Sequence, residues 1–265
     1  MFMPRISGCD EHSGTLQDMT APLTVTYLPG LLAIVGPMED IDEHRHHALQ
    51  VVWPGPGGVL EVAGQPARCR DDIVLIAADT PHRYQSPEGA LLLISPESHL
   101  GVALAESCRD GLGRFRLKAS TKPATSEDLI RRFFADVAPT DCLEFHQGHA
   151  LSPLLQAVQS RVISGDMADV DLQWACEQVH LSESRFMHRF KEMAGIPWRP
   201  FLLWSRLIAG VLRTAEGANL TEAALAVGFS DSAHFSRTFR AHFGTSPSSV
   251  ARNSRFIQAS SQPKS

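Results

Sequence analysis

The chain has 265 residues, 43% of them hydrophobic and 20% charged, with a net charge of −5. That is enough apolar material for two folded domains, but apolar stretches such as Ala90 to Ile94 fall far short of the roughly 20 residues of a membrane span. Five cysteines (Cys9, Cys69, Cys108, Cys142 and Cys176) without a C-x-x-C word exclude an obvious disulfide framework or zinc knuckle, and Asp10 and Glu11 stand where an export signal would be basic and then apolar, so a cytoplasmic protein is expected.

The charge is unevenly spread: residues 1–149 hold 12 Lys and Arg against 20 Asp and Glu, whereas residues 150–265 hold 12 against 9. The acidic half reads as β-structure. Thr24 to Leu28, Leu31 to Val35, Gln50 to Trp53, Val59 to Val62, Ile73 to Ile76 and Leu91 to Ile94 are short β-rich runs, and Pro29-Gly30, Gly36-Pro37 and Pro54 to Gly58 punctuate them. Runs of that length between turn signals predict a small sandwich or barrel rather than a parallel α/β sheet. Inside it lies His44-Arg45-His46-His47-Ala48-Leu49-Gln50, with His82 further on. Imidazoles clustered in this way would suit one divalent ion, nickel, zinc, manganese or iron. The same groups would equally serve as hydrogen-bonding residues of an organic-ligand pocket, or be packed remnants.

Helical periodicity begins at Ser126, with Leu129, Phe133 and Val137, and again near Ser152, with Leu155, Val158 and Val162; two such apolar-striped helices after a barrel suit a dimer interface. Next comes a helix with Leu172, Ala175, Cys176 and Val179, a turn at His180-Leu181, and a second helix capped by Ser182, anchored by Phe186, Phe190 and Met193 and stopped at Gly195. Pro200 to Glu216 reads as one long strut with Leu203, Leu207, Val211 and Ala215 on one side. A second helix-turn-helix pattern follows. Asn219 and Glu222 form a capping box, Gly228 supplies the tight turn, Ser230 can cap the next helix, and Phe235, Phe239 and Phe243 recur every fourth residue. His234, Ser236, Arg237 and Arg240 are thereby left outward, on a helix that can lie in a major groove.

Two helix-turn-helix units on one strut, with the words Ala-Val-Gly-Phe (226–229), Phe-Ser-Arg-Thr-Phe (235–239) and Phe-Gly-Thr-Ser-Pro (243–247), resemble the AraC-type transcriptional regulators over residues 160–253. Val250 and Ala251 stand where that family usually carries a Tyr-Arg pair. The resemblance implies base reading by Ser184, Arg185, Met187 and His188 in the first unit and by Ser232, His234, Ser236 and Arg237 in the second. Arg237 is the foremost candidate, because a guanidinium can grip guanine O6 and N7 together. Arg189, Lys191, Arg199 and Arg240 would neutralise phosphates, which position but do not specify.

The β half is similar to the cupin-like sensor domains of such regulators: His44, His46 and Gln50 keep the H-x-H-x-x-x-E/Q spacing of the first cupin motif, and His82 holds the last-ligand position of a second motif that is otherwise degenerate. The implied architecture has two domains, an all-β cupin-like jelly-roll barrel with trailing helices and then an all-α domain of two helix-turn-helix units joined by a long helix. Its divisions are a sensing domain at 20–123, a helical dimerisation segment at 124–164, a reader at 165–253 and a tail at 254–265. The implied protein is a homodimeric, cytoplasmic activator that binds double-stranded DNA and RNA polymerase under control of a small-molecule or metal effector, with no membrane partner and no catalytic residue. A metal-dependent cupin enzyme fused to a reader is the alternative; the complete reader argues against it, since an enzyme has no use for one.

Overall fold

The computed structural model describes residues 23–55, 57–67, 73–108, 111–115, 122–136, 151–252 and 254–258. Val137, Cys9, Cys69 and Cys142 lie outside them. Among the described residues no helix is long and apolar enough to cross a membrane.

The N-terminal half is a pair of β-sheets. The larger has the order β10 (Leu112–Phe115), β7 (Ile73–Ile76), β4 (Leu49–Pro54), β9 (Glu88–Ile94), β2 (Leu31–Pro37), β1 (Leu23–Leu28) and β11 (Ser254–Gln258); the smaller is β3 (Ile41–His44), β8 (His82–Gln85), β5 (Val59–Val62) and β6 (Gln65–Ala67). Val52, Val74, Ile76 and Leu91 of the large sheet meet Leu60, Val62 and Tyr84 of the small one in a shared core. The opposite face of the large sheet, with Leu31, Val51, Leu75 and Leu92, is covered by helices α1 (His99–Ala105) and α2 (Ser126–Asp136), which bring Leu100, Leu104, Leu129 and Phe133. Burial on both faces is why Ile73–Ile76 and Ala90–Ile94 read as unbroken apolar runs. The six expected strands are all present. The expectation lacks β6, β10, β11 and, nearest the site, β3 (IDEH) and β8 (HRYQ), whose polar sequences carry no apolar run although they pair antiparallel, His44 opposite His82.

The C-terminal half is helical: α3 (Ser152–Ser164), α4 (Leu172–Val179), α5 (Glu183–Ala194), α6 (Trp198–Ala215), α7 (Leu220–Ala226), α8 (Ser232–Phe243) and α9 (Pro247–Arg252). The Asn219–Glu222 capping box is formed as expected, and Gly228 sits at φ +85° in the turn after α7. Four expectations need correction. The cap of α8 is Asp231, whose side chain accepts from the His234 N–H, rather than Ser230; and Ser182 stands at the N-cap of α5 but makes no side-chain capping bond. Helix α6 starts at Trp198 and is buried nearly all round, from Phe201 and Trp204 to Val211 and Leu212, because both reader units, α3 and the barrel pack on it. The apolar stripes assigned to a dimer interface are spent inside the protomer: Leu129 and Phe133 lie on the sheet, and Leu154, Leu155, Val158 and Val162 join the reader core.

The supposed tail begins as β11, which runs parallel to β1 in the register Leu23 to Ser254 through Tyr27 to Gln258. This late segment of the chain is thus hydrogen-bonded to the first strand of the barrel.

Candidate functional site

In the first unit, Phe186 and Phe190 are buried against Trp198, and this fixes the opposite side of α5 outward. Ser184, Arg185, Met187, His188, Arg189 and Lys191 are all exposed, as is Arg199 at the start of α6. Met187 is 48% exposed, an unusual place for a long apolar side chain that is suited to contact with a thymine methyl. His188 lies 3.2 Å from the Glu192 carboxylate one turn on.

In the second unit Phe235, Phe239 and Phe243 face inward, Phe239 and Phe243 stacked with ring centroids 4.4 Å apart. Outward lie His234, Arg237 and Arg240, all exposed, with Ser232 and Ser236 half-buried and bonded to each other through the Ser236 hydroxyl and the Ser232 carbonyl. Arg206 of α6 ties the units together: its guanidinium donates to the carbonyls of Val170 before α4 and Gly228 after α7, and burial pulls its pKa down. This is a structural arginine, and the spacing of outward residues gives no sign of it.

His44, His46, His82 and Gln50 do converge. All four are buried, and the nearest ring nitrogens of the three histidines lie within 4.8 Å of one another. Strand β3 brings His44, its neighbour β8 brings His82 directly opposite, and Gln50 comes from β4. Each imidazole has a backbone carbonyl at Nδ1: Asp42 for His44 at 2.8 Å, Ala48 for His46 at 3.0 Å and Thr80 for His82 at 2.8 Å. A carbonyl only accepts, so each Nδ1 carries the hydrogen and each Nε2 keeps its lone pair. Gln50 Oε1 stands 2.8 Å from His46 Nε2 and 3.2 Å from His82 Nε2. Acceptors this close are compatible in two ways: with a cation between them, or with the Gln50 amide turned so that its NH2 donates to both rings.

Burial, reinforced by the neighbouring His82, lowers the His44 pKa to about 4, and burial pushes His46 well below its ordinary value and lowers His82. Burial thus favours the neutral form of all three rings, the form that binds metal. His47, between the ligand positions, does not join them; it is buried against the Glu97 carboxylate.

What the sequence does not reveal is that the reader roofs this cluster. The His46 ring centroid is 5.3 Å from that of Trp204 on α6 and 6.3 Å from that of Phe243 on α8. The Asp42 N–H donates to the Gly244 carbonyl at 3.0 Å, capping the C-terminus of α8 from the barrel side. Arg240 donates to the Asp42 carboxylate at 2.6 Å, and Ser249 donates to Glu39 at 2.6 Å. Gly244 makes the approach possible: at φ +66°, a Cβ there would lie 2.3 Å from the Asp42 carbonyl oxygen. Asp42 and Arg240 are 198 residues apart, a separation across which one sequence gives no signal.

A cupin-like barrel whose buried polar cluster is covered by a double helix-turn-helix reader defines a two-domain DNA-binding regulator. A family model described as a helix-turn-helix domain matches residues 175–253. The HTH-type transcriptional activator RhaR of Pectobacterium carotovorum is 25% identical over 256 residues, covering 83% of this chain and 88% of that protein; RhaR of Pectobacterium atrosepticum is 23% identical with the same coverage. In fold the chain is similar to a point variant of apo ToxT from Vibrio cholerae, with TM-score 0.53, 12% identity and coverage of 86% of this chain and 99% of that one. Another ToxT structure from Vibrio cholerae, bound to (E)-4-(8-methylnaphthalen-1-yl)but-3-enoic acid, gives TM-score 0.51 at 14% identity, covering 84% and 98%. Residues 175–253 thus form a helix-turn-helix domain, and over most of its length the chain is similar to HTH-type transcriptional activators.

Proposed function

We propose that this regulator reads promoter DNA with the outward faces of α5 and α8, and that the buried cluster of His44, His46, His82 and Gln50 is its sensing site. The observation that carries the proposal is the roof: Trp204 and Phe243, which cover His46, belong to the same helices that position the reader. A change of occupancy there alters what the reader packs on, and an effector that favours one docking geometry shifts the population between them.

The donor set fits one borderline divalent ion, nickel, zinc, manganese or iron, held by three neutral imidazole Nε2 atoms and the Gln50 oxygen. The backbone carbonyls at each Nδ1 are the outer partners that orient metal-binding histidines. Such an ion would act here as a cross-link between β3, β4 and β8, in a sensor rather than in catalysis. Elemental analysis of untagged protein should find about one ion per chain, lost in His44→Ala/His82→Ala; less than about a tenth of an ion after metal supplementation would exclude it.

On the DNA side, Ser184, Arg185, Met187 and His188 with Ser232, His234, Ser236 and Arg237 read bases, and Arg189, Lys191, Arg199 and Arg240 take phosphates. Arg240 is paired with Asp42, so its phosphate contact requires that pair to open. The relatives' naming as activators supports activation; contact with RNA polymerase, a cytoplasmic setting and a homodimer belong to the same reading. Capture and sequencing of genomic fragments by the full chain at physiological salt tests the reading; enrichment of promoter-proximal two-part motifs spaced by about one helical turn is expected, and an unenriched library would overturn it. Sedimentation on an isolated operator then reports the stoichiometry.

A further inference from the structure

Between the barrel and the second reader unit lies a cavity of about 200 Å³. Its barrel side is formed by residues including Ile34, Met38 and Leu91, and its reader side by Val211 of α6 with Phe239 and Phe243 of α8. His44 and Gln50 line it as well, so the sensing cluster opens onto it. When the Gln50 amide donates to His46 and His82, the His44 Nε2 is the ring nitrogen of the cluster with no partner among the described residues, although His44 is only 7% exposed. An acceptor that faces an apolar cavity can take its donor from a ligand there.

The remaining polar lining defines the ligand by exclusion. It consists of Glu39, Thr245 and Ser249, with Glu39 already accepting from Ser249, and no Lys or Arg is among the described lining residues. A carboxylate or phosphate buried there would have no counter-charge, a cost that drives such groups elsewhere. The size is sufficient for a substituted ring, given that a dry cavity of about 150 Å³ takes benzene.

We propose that this cavity binds a neutral, ring-sized apolar molecule bearing one hydroxyl, a phenol or aromatic alcohol, whose O–H donates to His44 Nε2. The ligand is shared between the domains: it fills the space between the barrel and α8 and so stabilises the docked arrangement of the second unit. The inference rests on the reading of the chain as a ligand-controlled DNA reader and applies to the metal-free cluster, because an ion held by His44 Nε2 would take the lone pair that the ligand's O–H needs.

Fluorescence titration of the untagged full chain with 2-naphthol, 2-naphthoate and naphthalene tests it. The expected result is saturable binding of 2-naphthol, with 2-naphthoate weaker by about tenfold or more. In His44→Leu the advantage of 2-naphthol over naphthalene should disappear. Val211→Trp, which fills the cavity from the reader side, should abolish binding; Met38→Trp does so from the barrel side should the first variant not fold. Equal binding of 2-naphthol and 2-naphthoate, no binding of 2-naphthol, or 2-naphthol binding unchanged in the filled variants would overturn the proposal. Genomic fragment capture on the same preparation keeps the outcomes apart: capture without 2-naphthol binding refutes the cavity alone, whereas absence of capture refutes the DNA reading.

Discussion

The two helix-turn-helix units are built alike and placed differently. Each ends its second helix on a left-handed glycine, Gly195 at φ +74° and Gly244 at φ +66°. A Cβ at Gly195 would meet nothing within 4 Å, whereas one at Gly244 would run into the Asp42 carbonyl and the His44 ring. No hydrogen bond among the described residues joins α4 or α5 to the barrel, while Asp42 holds both the backbone end of α8 and Arg240 on its outer face. One unit stands free to meet DNA and the other is docked on the sensor. On the proposed function, the difference places control on the second unit, whose second helix is the one bonded to the barrel.

The largest expected effect that tests this contrast is on stability and docking. Gly244→Ala meets both a left-handed backbone and a steric clash, and should destabilise the chain by about 1–3 kcal/mol more than Gly195→Ala, measured by urea denaturation. Equal losses for the two variants would mean that the barrel contact at Gly244 gives way easily and that the units are not distinguished there. Only Gly244→Ala should also change the spacing between the domains in small-angle scattering.

Arg237→Ala comes next. It should cost about 1–3 kcal/mol of specific binding and relax preference at one base pair of the half-site read by the second unit, with the first unit's half-site unchanged. A uniform loss across all sequences would make it a phosphate contact instead.

Asp42→Asn should have the smallest effect on the fold and a distinct one on DNA binding. The pair with Arg240 is 61–64% exposed, so stability should hardly change. Freed from the carboxylate, Arg240 becomes available to a phosphate, and the salt dependence of operator binding should steepen by about one counterion. An unchanged slope would show that Arg240 does not reach the backbone even when released.

Much of this contrast is legible in the sequence, and the part that is not has identifiable reasons. The reader is visible because capping box, turn glycine and Phe235-Phe239-Phe243 are local signals, each read within a turn or two of helix. The histidine cluster is visible through its resemblance to the cupin motif, since His44 ends β3, His46 lies in the loop after it and Gln50 is on β4, so no single strand's alternation gathers them. Strands β3 and β8 escape a sequence reading because their side chains serve the cluster and the surface instead of forming an apolar run. Helix α6 reads as a one-faced strut because less buried positions, Arg199, Leu203, Arg206 and Arg213, fall on one side, while periodicity does not report how much of the remaining circumference is covered. The stripes of α2 and α3 read as an interface because an apolar face does not say whether its partner is the same chain. The docking of Asp42 on Arg240 and Gly244 is tertiary in origin and leaves no local trace.

The measurement that tests the central claim most directly is hydroxyl-radical footprinting of a captured operator by the wild-type chain and by Asp42→Asn. The account predicts that the wild type protects the half-site of the first unit more strongly, and that Asp42→Asn gains protection at the half-site of the second unit alone. Equal protection of both half-sites in the wild type, unchanged by the substitution, would contradict the idea that the barrel restrains the second unit.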